Sequence, residues 1–251
     1  MNKENQIGTV ESYLNHRRKE KALCLPLIDP VNQKLDSLIN TVNELEKNGA
    51  DALLVGGSTM VDVTFLDDVI LKIKSISHMP VILFPNNITG ISKNADAILF
   101  MMLMNSENTY YVVEAQVLGS GLIYKYHIEP IPAGYIVINA GSAVSHIGHA
   151  RPLPNNREII SLYSLAAKYF GFRLLYLEGG SGTAEPISSN IVEAAKKYFN
   201  GLLIVGGGIK DKETAASLLK AGADGLVIGN LLEEKGGTER FKEISNLLKS
   251  Y

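Results

Sequence analysis

The sequence has no excess of charge of one sign, a single cysteine and no long hydrophobic run. Its 24 basic residues face 26 acidic ones, a formal net charge of −2. That balance argues against a nucleic-acid partner held on a broad basic face. Cys24, alone, excludes an internal disulfide framework and a multi-cysteine metal site. The longest apolar run, residues 97–104, is far short of the roughly 20 residues that cross a bilayer, so no transmembrane segment is expected. The polar opening, residues 1–8, carries no secretion signal, and a cytoplasmic protein is expected. No linker splits the chain, and there is no low-complexity tract. What is present is an apolar share of 46% across 251 residues, enough for a sizeable core, and 23 glycines.

Eight short apolar runs read as strands buried on both faces: residues 22–28, 52–55, 81–84, 97–103, 135–138, 173–177, 202–205 and 225–228. Helical spacing of apolar residues marks 7–20, 35–48, 65–77, 108–118, 157–170, 186–199, 212–221 and 238–251. Strands alternating with helices predict an α/β chain with a parallel sheet, here one modified TIM (β/α)8 barrel over residues 1–251. Residues 86–95 are too short for a full third crossover helix, which is expected to be degenerate. Residues 119–154 are long and rich in Pro and Gly, with 122–127 a candidate extra strand. One string echoes: Gly49-Ala50-Asp51 and Gly222-Ala223-Asp224 precede apolar runs, with Asn94-Ala95-Asp96 a weaker copy. The echo reads as a helix ended by a left-handed Gly or Asn, a tight turn and a buried strand.

In such a barrel the site lies at the carboxyl ends of the strands. The predicted strands are followed there by Asp29-Pro30, Gly56-Gly57-Ser58-Thr59, Pro85-Asn86-Asn87, Glu178-Gly179-Gly180-Ser181-Gly182, Gly206-Gly207-Gly208-Ile209 and Gly229-Asn230. The glycines after the seventh and eighth strands suit a phosphate, whose charge backbone N–H groups and a helix N-terminus would meet. The plainer reading is tight βα turns. Asp29 suits a hard cation such as Mg2+, with a hydroxyl oxygen from Ser58; the plainer reading of Asp29 is a turn cap. Glu178 suits polyol hydroxyls and a base, or turn stabilisation. His146 and His149 are too few ligands for zinc, and Cys24 reads as a core residue. Tyr110, Tyr111, Val112, Val113, Val117 and Leu118 make one helix apolar around its circumference. They would line a hydrocarbon groove or pack against the barrel or a subunit. The run Phe100-Met101-Met102-Leu103-Met104 adds adaptable apolar surface.

These strings carry a resemblance. Leu27-Ile28-Asp29-Pro30, Gly56-Gly57-Ser58, Leu83-Phe84-Pro85, Tyr176-Leu177-Glu178-Gly179-Gly180-Ser181-Gly182, Val205-Gly206-Gly207-Gly208-Ile209 and Gly229-Asn230 occur in that order. Together they resemble the archaeal geranylgeranylglyceryl phosphate synthase family, which includes bacterial heptaprenylglyceryl phosphate synthases. The resemblance implies transfer of a geranylgeranyl group from geranylgeranyl diphosphate to the C3 hydroxyl of sn-glycerol 1-phosphate, the first ether bond of archaeal lipids. It implies Mg2+ at Asp29 and Ser58, and a homo-oligomer, dimer or hexamer. It implies that Tyr176, Leu177, Glu178, Gly179, Gly180, Ser181 and Gly182 embrace glycerol 1-phosphate, with Glu178 on its hydroxyls. Gly207, Gly208, Gly229 and Asn230 would hold its phosphate. The chain departs from the family pattern with Val31-Asn32 after Asp-Pro, Asn86, Gly179 and Asn139-Ala140-Gly141-Ser142. The runner-up is another phosphate-binding barrel, an isomerase or lyase acting on a small sugar phosphate. Against it stands the lack of a lysine immediately at the strand ends. A sensor of sugar phosphates without catalysis is a third reading.

Overall fold

Residues 7–32, 35–57, 62–180, 186–229, 231, 234 and 236–251 are described by the structure, a computed structural model. Eight strands run parallel and close on themselves in chain order: β1 (Leu23–Ile28), β2 (Leu53–Val55), β3 (Val81–Leu83), β4 (Ala97–Leu103), β5 (Glu129–Val137), β6 (Leu174–Glu178), β7 (Leu202–Gly206) and β8 (Gly225–Ile228). Helix α1 (Thr9–Glu20) precedes β1. Helices α2 (Leu35–Lys47) and α3 (Val63–Lys74) follow β1 and β2, and α4 (Ala115–Tyr126) follows β4. After β5 come α5 (Ala143–Ile147) and α6 (Arg157–Tyr169); α7 (Ser189–Tyr198), α8 (Lys212–Lys220) and α9 (Gly237–Leu248) follow the last three strands. The barrel is the expected one. Its strands read as unalternated apolar runs because both faces are covered: on β6, Leu174 and Tyr176 face the barrel interior while Leu175 and Leu177 pack under the helices.

The third crossover has no helix. Between β3 and β4 the chain makes one 3-10 turn, Ile88–Gly90. Strand β3 pairs with β4 only through Ile82 and Leu83, whereas β4 pairs with β5 from Ala97 to Leu103. The carboxyl half of β4 therefore has an open edge. Its exposed carbonyl at Met101 accepts from the Gln116 amide, which also donates to the carbonyl of Tyr111 in the π-turn Tyr110–Glu114. A π-turn widens a helix by one residue and frees such a carbonyl.

Two expectations are corrected. Residues 122–127 are not a strand: α4 runs through Tyr126 and ends at His127 in the left-handed conformation. Leu122, Ile123 and Tyr124 favour strands in isolation, but Gly119 and Ile123, one turn apart, bury a helical face. Strand β5 begins at Glu129, earlier than expected, because Pro130 and Pro132 disguise it. They are tolerated since β6 pairs with β5 only from Ala133 onward, so the proline end is an edge on that side.

The repeated Asp closes the amino-terminal end of the barrel. Asp51, Asp96 and Asp224 precede β2, β4 and β8, and each accepts the backbone N–H of the neighbouring strand, from Cys24, Val81 and Leu203, at 2.8 Å. Each also meets a lysine: Lys21, Lys74 and Lys196. Arg17 and Arg18 of α1 join Asp51 and Asp224. The left-handed Gly49 and Gly222 end their helices as expected, whereas Asn94 follows a turn and is not left-handed. Glu129 accepts from the N–H groups of Val10 and Glu11 at 2.8 Å, and Arg173 grips Glu11, so α1 plugs the barrel floor with Val10 and Leu14. Asp51→Ala would strand a buried lysine and an N–H group. It is expected to lower unfolding free energy by about 3 kcal/mol in a denaturant titration, with activity retained in the folded fraction.

Candidate active site

The barrel mouth holds two cavities that share walls. The larger, about 280 Å³, runs over the open edge of β4. Inward residues Leu99, Met101 and Leu103 line it, and so do outward residues Ile98 and Phe100, with Ile91, Gly119 and Ile123 at the outer layer. It is an apolar groove lying where a third crossover helix would stand. The smaller, about 60 Å³, is framed by Tyr176, Glu178, Gly207, Gly208, Ile209, Lys210 and Glu234. Leu27, Glu178 and Gly229 line both.

Glu178 ends β6 with its side chain inward, buried. Oε2 accepts from the Tyr135 hydroxyl at 2.9 Å and Oε1 from the Gly180 N–H at 2.6 Å, and the Tyr176 side chain frames the same pocket. Burial raises the Glu178 pKa above the usual carboxylate value, and the polar groups of Tyr135, Gly180 and Tyr176 oppose the rise. Both phenols are pushed well up, by burial first and the Glu178 charge second, so they stay protonated donors. The rings of Tyr135 and Tyr176 stack at 5.0 Å, and Phe84 sits 5.8 and 5.3 Å from them. Glycine is required in the facing turn. A Cβ at Gly206 would lie 1.8 Å from the Tyr176 hydroxyl, and one at Gly207, at φ +84°, would lie 2.5 Å from Glu178 Oε1.

Asp29 follows β1 half-buried at the groove mouth. Its Oδ1 accepts from the Val31 N–H at 3.0 Å, and burial raises its pKa. A Cβ on Gly57 would come within 2.3 Å of Oδ2, so the bare glycine leaves that oxygen reachable.

Of the residues named from the sequence, Asp29, Tyr176, Glu178, Gly207, Gly208 and Gly229 line the two cavities. Gly179 and Gly180 form the turn beside them. Ser58, Ser181, Gly182 and Asn230 lie outside the described residues. The Leu177 side chain faces the helical layer, opposite to Tyr176 and Glu178, by the two-residue period of a strand. Cys24 is core, its thiol pushed up to about 12 by burial. His146 and His149 are exposed, and His149 stacks on Tyr111; among the described residues no three metal-binding side chains cluster. The helix that begins with Tyr110 divides its faces: Tyr111, Ala115 and Gly119 line the groove, while Val113, Val117 and Leu118 are exposed.

Tyr135, Phe84, Gln116 and Lys210 line the cavities without having been singled out by strand-end position. Tyr135 sits before its strand end, and its inward direction is invisible in a strand apolar on both faces. Lys210 stands beyond the glycine turn, four residues past the end of β7, and lines the small pocket. The proline-rich stretch after β5 has a purpose as well. Asn105 bonds Val137 and Arg151, and Ser106 bonds the Gly148 carbonyl at 2.6 Å, so Val144 and Ile147 of α5 roof the groove.

A raised carboxylate pKa means the charged form is less favourable folded than unfolded. The resulting destabilisation is absent below the unfolded value and grows as pH rises through the folded one. Glu178→Gln is therefore expected to unfold a few degrees higher than the wild type at pH 7, with the difference shrinking toward pH 4 in thermal melts.

Comparison with known proteins agrees with this architecture. Residues 15–248 match the PcrB family. The geranylgeranylglyceryl phosphate synthase of Nitrosopumilus maritimus is 43% identical over 242 residues, 96% of this chain and 97% of that protein. The synthase of Methanocaldococcus jannaschii is 44% identical over 233 residues, 91% and 90% of the two. A crystal structure of the Thermoplasma acidophilum synthase in complex with sn-glycerol-1-phosphate superposes with a TM-score of 0.92 at 35% identity, covering 98% of this chain and 100% of that one. The tryptophan synthase α-subunit of Pyrococcus furiosus, at 17% identity and a TM-score of 0.59, shares the fold alone. A match over nearly the whole length, with relatives above 40% identity, establishes that this chain belongs to the PcrB family.

Proposed function

We propose that this protein is a prenyltransferase that joins the geranylgeranyl group of geranylgeranyl diphosphate to the C3 hydroxyl of sn-glycerol 1-phosphate, the first ether bond of archaeal membrane lipids. The observation that carries the reading is the junction of the two cavities at Glu178: an apolar groove on one side, a glycine-walled pocket on the other. Named relatives and the glycerol-phosphate complex of a neighbour support it. A sugar-phosphate isomerase or lyase would have no use for the groove.

In this reading the small pocket seats the phosphate against Gly207 and Gly208, with Lys210 at its wall. Glu178 accepts the hydrogen bond of the C3 hydroxyl and then its proton, as the oxygen forms a bond to the prenyl C1 and the bond from C1 to diphosphate breaks. The groove keeps water from the cation-like C1. Asp29 fits Mg2+: it offers a carboxylate oxygen beside a bare glycine, and Mg2+ is commonly held by one or two carboxylates plus substrate phosphates. When bound, Mg2+ would supply neutralisation of the diphosphate charge. Asp29, with Ser58 assigned alongside it, would hold that ion. The remaining assignments, Gly229, Asn230, Ser181 and Gly182, complete the glycerol phosphate site in the same reading.

The exposed apolar face of α4, with Val117 and Leu118 at 65% and 60% exposure, suits a second copy of this chain, in a dimer or hexamer. The protein would work in the cytoplasm; among the described residues no helix is long and apolar enough to cross a membrane.

Incubation with Mg2+, sn-glycerol 1-phosphate and geranylgeranyl diphosphate is expected to give the ether product by mass spectrometry. No product with any prenyl length would overturn the reading. Glu178→Ala is expected to lower kcat about 10²- to 10⁴-fold, the usual range for a general base. Asp29→Ala should act mainly on use of the diphosphate. Gly119→Leu should shorten the longest prenyl chain accepted, because a Cβ there already meets Ile91 at 3.0 Å in the groove; an unchanged chain-length profile would place the prenyl tail elsewhere.

A further inference from the structure

Gln116 sets a carboxamide into the wall of the apolar groove. Its amide nitrogen donates to the Met101 carbonyl of β4 and, at 3.3 Å, to the Tyr111 carbonyl of the π-turn. Its Oε1 is buried and has no hydrogen-bond partner among the described residues. An unpaired buried acceptor is unfavourable, so the amide serves its two bonds at the expense of its own oxygen. Met101, Tyr111 and Gln116 all line the groove. The amide therefore ties two of its walls together, β4 on one side and the start of α4 on the other. Strand β3 pairs with β4 no further than Ile98, so no strand fixes this edge at Met101.

The height of the tie follows from the direction of the chain. Strand β4 climbs toward the barrel mouth, and at about 3.3 Å per residue Met101 stands about 10 Å above Ile98 and about 7 Å below Leu103. The helix that follows runs back down: Tyr111 and Ala115 lie toward the mouth, Gly119 and Ile123 deeper. Met101 and Gln116 meet partway, with Ile98, Gly119 and Ile123 lining the groove below them.

We propose that Gln116 is a positioning residue for the far part of a long prenyl chain: its carboxamide holds α4 to the open edge of β4 and keeps the lower groove shaped before the chain arrives. The inference rests on the prenyl transfer reading above. In that reading the reacting carbon lies at the mouth, near Asp29 and Glu178. A short chain ends above the tie and does not depend on it; a long chain runs past it. A wall that must be ordered on binding takes its cost from affinity. The effect therefore falls on KM and not on kcat.

Gln116→Met keeps the length of the side chain and removes both donors together with the unpaired oxygen. With Mg2+ and sn-glycerol 1-phosphate, its KM for geranylgeranyl diphosphate is expected to rise about tenfold, the scale of one or two hydrogen bonds. Affinity for geranyl diphosphate, half as long and measured as substrate or as competitive inhibitor, should stay within about twofold, and so should kcat. Gln116→Asn, whose amide stops one carbon short of both carbonyls, should give the same split between long and short chains. Thermal unfolding confirms that the variants are folded.

An equal shift for both diphosphates would mark a purely structural role and overturn the inference, as would no shift for either. A wild-type enzyme that forms no product with any prenyl length would count against the prenyl transfer reading instead. Hydrogen exchange over residues 110–126 then tests the tie without substrate. Faster exchange is expected in Gln116→Met than in the wild type, and equal exchange overturns the proposal.

Discussion

A carboxylate buried among three aromatic rings sets the terms for the rest of the site. Removing such a charge from water is unfavourable by several kcal/mol unless hydrogen bonds replace the lost hydration. Here the replacement comes from a phenol on β5 and a backbone N–H after β6. Each donor needs space. The glycine run after β7 supplies it, since side chains at Gly206 and Gly207 would collide with the Tyr176 hydroxyl and with Glu178 itself. Those glycines therefore serve the carboxylate as directly as they would serve a phosphate. Phe84 closes the aromatic set from β3, so four strands contribute to the placement of one side chain.

The groove depends on a structural subtraction. Omitting the third crossover helix leaves the upper half of β4 unpaired on one side, and an unpaired strand edge is ordinarily an aggregation hazard. The chain covers this edge with a side chain rather than another strand. Gln116 reaches back to the Met101 carbonyl, and the π-turn before it supplies the second carbonyl that the amide needs. Helix α4 thus bridges the opening without filling it, and Gly119 keeps its inner face clear. The roof is held separately by Asn105 and Ser106, polar groups one turn beyond β4 that fasten α5 over the apolar space.

Much of this was legible in the residues. Eight unalternated apolar runs marked the strands, and the short interval after the third marked the missing helix. Asp29, Glu178 and the glycine clusters announced themselves by following buried strands. What stayed hidden depends on direction and distance. Tyr135 and Leu177 both lie within apolar strands; one points inward to the carboxylate and the other outward to the helices, and no local pattern separates them. Pro130 and Pro132 masked the start of β5 because their tolerance rests on where β6 begins to pair, a fact of register. The Gly-Ala-Asp echo was visible as a repeat, but its role needed partners far away in sequence. Each Asp ties its own strand to the preceding one and to a lysine. Leu122 to Tyr124 shows tertiary burial overriding local β preference.

Leu27, Glu178 and Gly229 are walls of both cavities at once. A molecule in either space therefore touches the surface of the other, and any shift it imposes on that common wall is felt across it. Thermodynamic linkage makes this reciprocal: the factor by which one occupant changes the affinity of the second is the factor by which the second changes the first. Where an occupant of one cavity shifts this common wall, its affinity is one side of a linked equilibrium with the occupant of the other.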